Sequence, residues 1–153
     1  MGELKCFRCS GWPCTCKDGQ TIIHGDCREV LPLLPKVDLV LTDPPYGMDY
    51  KPTFKKWNGG ESGWASIRGD GAKFAPQFLL DLKSEVVLWG ASFYSDLLPR
   101  GDWLVWDKRC SEKADRMIGV PVELAWTKGD GRTRIKRLLH GGVINADSVG
   151  CNN

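Results

Sequence analysis

The sequence contains no run of about 18 apolar residues, so it offers no transmembrane helix. Its opening, Met1-Gly2-Glu3-Leu4-Lys5-Cys6, lacks the apolar centre of a secretory signal, which predicts a cytoplasmic protein with no membrane partner. Charge of one sign is not in excess. With 21 basic and 19 acidic residues the net charge is +2, so a nucleic-acid partner cannot be read from total charge and any basic footprint has to be local. The two histidines, His24 and His140, stand in no metal or triad pattern, and no internal repeat occurs. The chain is not poor in apolar residues: 42% apolar and 26% charged allow a packed core, and 153 residues suit one domain.

Cysteine is plentiful. Four of the seven, Cys6, Cys9, Cys14 and Cys16, fall within eleven residues, while Cys27, Cys110 and Cys151 are scattered. An odd total with one dense cluster argues against a disulfide framework in a reducing compartment. Four thiolates are the number a structural zinc takes, and Cys6-X-X-Cys9 has the usual knuckle spacing. Cys14-X-Cys16 is unusual, and the alternative is a flexible tail of reduced thiols. Residues 1–20 therefore read as a Cys-rich module, a possible zinc knuckle.

Beyond it, Thr21-Ile22-Ile23 reads as a short strand and Cys27 to Leu34 as a helix closed by Pro35. Val37 to Thr42 is almost continuously apolar, as in a strand buried on both faces. Residues 48–75 read as a long loop, and Pro76 to Lys83 as a helix. Glu85 to Leu88, Trp103 to Trp106 and Val122 to Trp126 read as strands, with a helix from Ser92 to Leu98. Strands alternating with helices predict an α/β sheet with helices on its faces. Chemistry in such sheets sits at the carboxyl ends of strands, which is where Asp43-Pro44-Pro45-Tyr46-Gly47 falls.

Two prolines fix φ and remove two N–H donors, leaving a stiff loop rich in acceptors. Asp43 adds a carboxylate and Tyr46 an aromatic face. The set suits a planar group bearing an amine with two N–H bonds. Accepting both hydrogens, on Asp43 and on the Pro44 carbonyl, frees a lone pair that is otherwise delocalised into a base. Both acceptors strengthen as charge develops on the nitrogen. A base in a duplex reaches such a loop only when flipped out, where Tyr46 would stack on it.

The segment Asp38-Leu39-Val40-Leu41-Thr42-Asp43-Pro44-Pro45-Tyr46-Gly47 resembles the catalytic motif of the DNA amino-methyltransferases that act on adenine N6 or cytosine N4. Ile22 to Cys27, Val86 to Ala91, Trp103 to Lys108 and Glu123 to Thr127 resemble flanking strands of the family's catalytic half. The resemblance covers roughly residues 21–142 and is similar to the phage and prophage members; residues 143–153 read as a truncated tail. It implies a partial Rossmann-like methyltransferase sheet, S-adenosylmethionine as methyl donor, and a DNA partner. It places catalytic roles on Asp43, Pro44, Pro45 and Tyr46, with adenine favoured by the aspartate. It places Asp26 near the cofactor together with Asp43, although Asp26 also reads as a plain turn carboxylate.

The family's Gly-rich Phe-X-Gly-X-Gly cofactor turn is missing from the sequence, as are the strands that accompany it. The expectation is a half that is inactive alone: a truncated gene product, a remnant, or a split half that a second polypeptide carrying that turn could complete. Arg132, Arg134, Lys136 and Arg137, with Lys128, form a basic stretch for phosphates or a solvated turn. Lys55 and Lys56, beside Trp57, could clamp DNA around a flipped base, or belong to a lid. Two other readings fit the same residues: a non-catalytic DNA-binding remnant, and an amine methyltransferase acting on RNA or protein.

Overall fold

The computed structural model of the chain describes residues 4–50, 66–109 and 121–137. They form two compact units that divide between Asp38 and Leu39, so residues 21–38 cluster with the Cys-rich segment.

In the first unit, Asp26 accepts the amide of Arg28 and caps the helix α1, Cys27–Val30. Pro32 has no amide to continue an α-helical ladder, and the chain tightens to a 3-10 turn over Leu31–Leu33. The strand expected at residues 21–23 does not form. The Ile22 carbonyl instead accepts the amide of Phe7, so this segment closes the cysteine loop and joins no sheet.

The second unit is built on a mixed five-stranded sheet with few helices. Its strands are β1 (Leu39–Thr42), β2 (Glu85–Trp89), β3 (Asp102–Asp107), β4 (Val122–Thr127) and β5 (Thr133–Arg137), in the order β1-β2-β4-β3-β5. β1 with β2 and β3 with β5 pair in parallel; β4 runs antiparallel to both of its neighbours. Four strands therefore share one direction, with the carboxyl ends of β1 and β2 level with the amino ends of β3 and β5.

Alternation decides which side chains are covered. Val86 and Leu88 point to one face, and Trp126, level with Leu88, joins them. All three are buried, together with Leu79 of α2 (Gln77–Leu80) and with Ala91 and Tyr94 of the 3-10 helix Ala91–Leu97. Phe74 packs edge-on against both Phe78 and Tyr94, extending this layer. The opposite face carries Leu39, Leu41, Trp89 and Trp106, the last two in an edge-to-face pair at 6.0 Å. Leu39 and Leu41 are 53% and 61% exposed.

The strand after Val37 thus differs from the expected one in two ways. It starts at Leu39, and it lies at a sheet edge with one face uncovered among the described residues, where burial on both faces was predicted. The helix expected at 92–98 is a 3-10 helix with a kink at Tyr94, whose hydroxyl donates to the Trp89 carbonyl at 2.6 Å. The basic stretch ends in a strand, β5, which the density of charge concealed.

Trp126 locks this core. It is 1% exposed, and its indole N–H donates to the Pro99 carbonyl at 3.1 Å. Replacing it with alanine is predicted to cost roughly 3–5 kcal/mol in urea unfolding, by removal of a buried aromatic. Trp126→Phe keeps most of the ring contact but strands the Pro99 carbonyl, so its loss should be smaller, about 1–3 kcal/mol. Equal losses in the two variants would show that the hydrogen bond contributes nothing.

Candidate functional site

The loop Asp43-Pro44-Pro45-Tyr46 leaves the carboxyl end of β1 and lines a concavity of about 390 Å³ with Met48, Tyr50, Ile67 and Asp70. That volume lies within the range of small-molecule sites. Pro44 is buried, Pro45 and Tyr46 are half-buried, and Asp43 is exposed. The four residues singled out from the sequence are therefore brought together on one wall.

Three contacts fix Tyr46. Its hydroxyl donates to Asp43 Oδ1 at 2.5 Å. Its ring stacks on Phe93, with centroids 4.7 Å apart and planes 9° from parallel. The ring also lies against Gly90, where an added Cβ would come within 1.8 Å of it. Gly90 has φ +64°, so both backbone and space call for glycine directly after β2. Burial, and then the Asp43 carboxylate beside it, push the Tyr46 phenol upward, so it stays protonated and keeps donating. Phe93 already covers one face of the plate expected to receive a base.

The residue that shapes the loop was not foreseen. Asp70 is 4% exposed. Its Oδ1 accepts the amides of Gly47 (2.8 Å) and Met48 (3.1 Å), and its Oδ2 accepts that of Tyr50 (2.7 Å). Its own carbonyl accepts the Asp49 amide at 2.8 Å. These backbone donors, Tyr50 first, hold the Asp70 carboxyl below its ordinary value against the opposing effect of burial. Gly47, at φ +83°, lets the backbone of Ala72 and Lys73 approach; a Cβ there would lie 2.5 Å from the Lys73 Cα. In the sequence Asp70 sits between two glycines in a polar loop, and nothing local distinguishes it from a turn aspartate.

The basic residues fall elsewhere. Thr42, Leu88, Trp126, Trp103 and Thr133 are level across the sheet, so Arg134 lies four strands from Asp43 in nearly the same row. With strands about 4.8 Å apart, that separation is roughly 19 Å. Arg132, Arg134 and Lys136 are exposed. Arg132 lies 3.8 Å from Asp130. Lys128 is not part of this surface: its ammonium donates to the carbonyls of Leu82 (2.5 Å) and Ser84 (3.1 Å). The side chain of Arg137 and all of Lys55 and Lys56 lie outside the described residues. Asp26 acts in the first unit as the cap of α1 and pairs with the Arg28 guanidinium at 2.7 Å.

In that same unit the sulfurs of Cys6, Cys9, Cys14 and Cys16 lie within 4.8 Å of one another, a group able to hold a metal ion. No family model matches the chain, and no curated protein matches it.

The Asp70 arrangement makes stability depend on pH with a definite sign. A carboxyl with a depressed folded pKa stabilises above its unfolded value, about 3.9, and loses that contribution as pH falls through the folded value. Acidification from about pH 6 to about pH 3 should lower the urea midpoint of the wild type more than that of Asp70→Asn. Amide exchange at Gly47, Met48 and Tyr50 should be faster in the variant at neutral pH. Identical acid dependence in the two proteins would show that this carboxylate does not hold the loop.

Proposed function

We propose that residues 39–137 carry the base-amine site of a DNA amino-methyltransferase, with adenine N6 as the preferred acceptor, and that the sheet is part of a Rossmann-like methyltransferase fold. The observation that supports this most is the Asp43 carboxylate at a strand's carboxyl end, oriented by Tyr46 and set beside two prolines on the wall of an open concavity. S-adenosylmethionine, when bound, supplies an electrophilic methyl on a sulfonium. Among the described residues no Gly-rich turn leading into a helix faces the concavity. The cofactor's grip is assigned to residues beyond these, a second polypeptide carrying such a turn being one source.

The chain's own residues hold the amine. Asp43 Oδ1 is engaged by the Tyr46 hydroxyl, which leaves Oδ2 to accept one amine hydrogen. The Pro44 carbonyl, to which no hydrogen bond forms among the described residues, accepts the other. Both acceptors pull the nitrogen toward tetrahedral geometry and gain strength as it becomes cationic. Tyr46, held protonated, keeps the carboxylate from swinging out toward water. The base would stack on the ring face that Phe93 leaves. Arg132, Arg134 and Lys136 meet phosphates of the same DNA, with Lys55, Lys56 and Arg137 as further candidates. The ion assigned to the cysteine group is zinc, which takes no part in the transfer.

A double-mutant cycle tests the amine contact. Single-stranded oligonucleotides carrying either adenine or purine, which lacks the amine, are titrated into the wild type and Asp43→Ala and followed by anisotropy. Loss of a hydrogen bond to a charged acceptor is worth about 1.5–3 kcal/mol, so purine should bind the wild type roughly ten- to a hundredfold more weakly. The difference should shrink in the variant, where only the Pro44 carbonyl is left to accept from the amine. With a complementing cofactor-loop chain, Asp43→Ala should reduce methyl transfer by about a hundredfold or more. Equal affinity of the wild type for adenine and purine sinks the proposal.

A further inference from the structure

The N-terminal unit poses a separate question: what holds it together. Among its described residues, 4–38, Cys6 alone is buried, at 1% exposure. Of its large apolar side chains, Phe7 is 73% exposed, Trp12, Ile22 and Leu33 are exposed as well, and the others, such as Leu31 and Leu34, are only half-buried. A segment with no apolar core cannot repay the entropy of ordering its backbone. What occupies the centre is sulfur.

We propose that Cys6, Cys9, Cys14 and Cys16 bind one zinc ion in a closed tetrahedral site that serves as the core of this unit. The distances carry the argument. Zinc–thiolate bonds of about 2.3 Å at tetrahedral angles place sulfurs about 3.8 Å apart. The sulfurs lie 3.3 Å (Cys6–Cys14), 3.7 Å (Cys9–Cys14) and 4.0 Å (Cys6–Cys16) apart, with all four within 4.8 Å. These spacings bracket the required value. They are well beyond a disulfide bond of about 2.05 Å. A multi-iron cluster spreads its thiolates over separate irons, too far apart for this set.

The surroundings suit bound thiolates. The Cys6 amide donates to the Gly11 carbonyl at 3.1 Å and the Ser10 amide to the Cys6 carbonyl at 2.8 Å, which closes the loop that carries Cys6 and Cys9. The Cys16 amide donates to the Cys14 sulfur at 3.4 Å. Such outer donors orient thiolate ligands and spread their charge. Zinc with four thiolates carries a net charge of −2, and the Arg8 guanidinium lies close enough to Cys16, Cys6 and Cys14 to offset part of it. Arg8 is itself held by Asp18. Four protein ligands leave no open position, so the ion is structural. Sulfur ligands in a tetrahedron select zinc or iron among the common divalent ions, and zinc binds more tightly than ferrous iron. None of this depends on the chemistry at Asp43.

The test uses the full chain purified under reducing conditions. Elemental analysis should find about one zinc per chain. Exchange with cobalt should give the intense visible bands of a tetrahedral thiolate site. Cys16→Ser should lose the metal, Cys16→His should keep it because three cysteines and a histidine also bind zinc, and Cys27→Ser should retain one equivalent. Chelation should speed amide exchange across residues 4–24 by at least about tenfold and leave β2 and β4 protected. Overturning results would be metal at background level, a pale octahedral cobalt spectrum, or one iron per chain in place of zinc. Zinc retained in Cys16→Ser would remove that residue from the site.

Discussion

A carboxylate taken out of water has to be given donors, and Asp70 finds three in consecutive turns of backbone after Tyr46. Much of the second unit's upper end follows from that requirement. To reach those amides the chain must return at residues 66–75 and press against Gly47 so closely that no side chain fits there. Once Gly47 to Tyr50 is fixed, the preceding residues have little freedom. Tyr46 is left with one place to lie, over Gly90 and against Phe93, and from there its hydroxyl meets Asp43. The exposed carboxylate of Asp43 is thus aimed by the buried one of Asp70.

Much of this was legible in the sequence. The apolar runs read as strands at Val37 to Thr42, Glu85 to Leu88, Trp103 to Trp106 and Val122 to Trp126 match Leu39–Thr42, Glu85–Trp89, Asp102–Asp107 and Val122–Thr127, because short apolar, β-branched runs act locally. The acceptor-rich loop at a strand end was legible too, since two prolines and an aspartate constrain the backbone wherever they occur. The four clustered cysteines also announced themselves. What could not be read depended on distant partners. Thr21-Ile22-Ile23 has strand composition, but its carbonyl at Ile22 is taken by Phe7. Leu39 and Leu41 look buried until it is known that β1 is the end of the sheet. Thr133–Arg137 looks like a charged turn until β3 offers it a ladder. Asp70 looks like any residue between two glycines; its burial exists only because amides twenty residues earlier point at it.

The two units solve the same problem with different materials. The sheet unit orders its chain by removing Val86, Leu88, Tyr94 and Trp126 from water, a gain that grows with the area covered. The N-terminal unit is too small for that, and none of its described Leu, Ile, Val, Phe or Trp side chains is fully buried. Four sulfur atoms, all within 4.8 Å of one another, stand at its centre instead.

The row that joins Asp43 to Arg134 gives the sheet the character of a ruler. Its length, roughly 19 Å, corresponds to between five and six base-pair steps along a duplex axis, about half a helical turn. Over that distance the backbone of one strand passes from the near side of the double helix to the far side. On the proposed reading, a duplex lying along this row with one base presented at Asp43 would meet the cationic edge through the opposite strand. The two contacts would read different strands of the same molecule, so a single-stranded ligand and a duplex would engage this surface with different footprints.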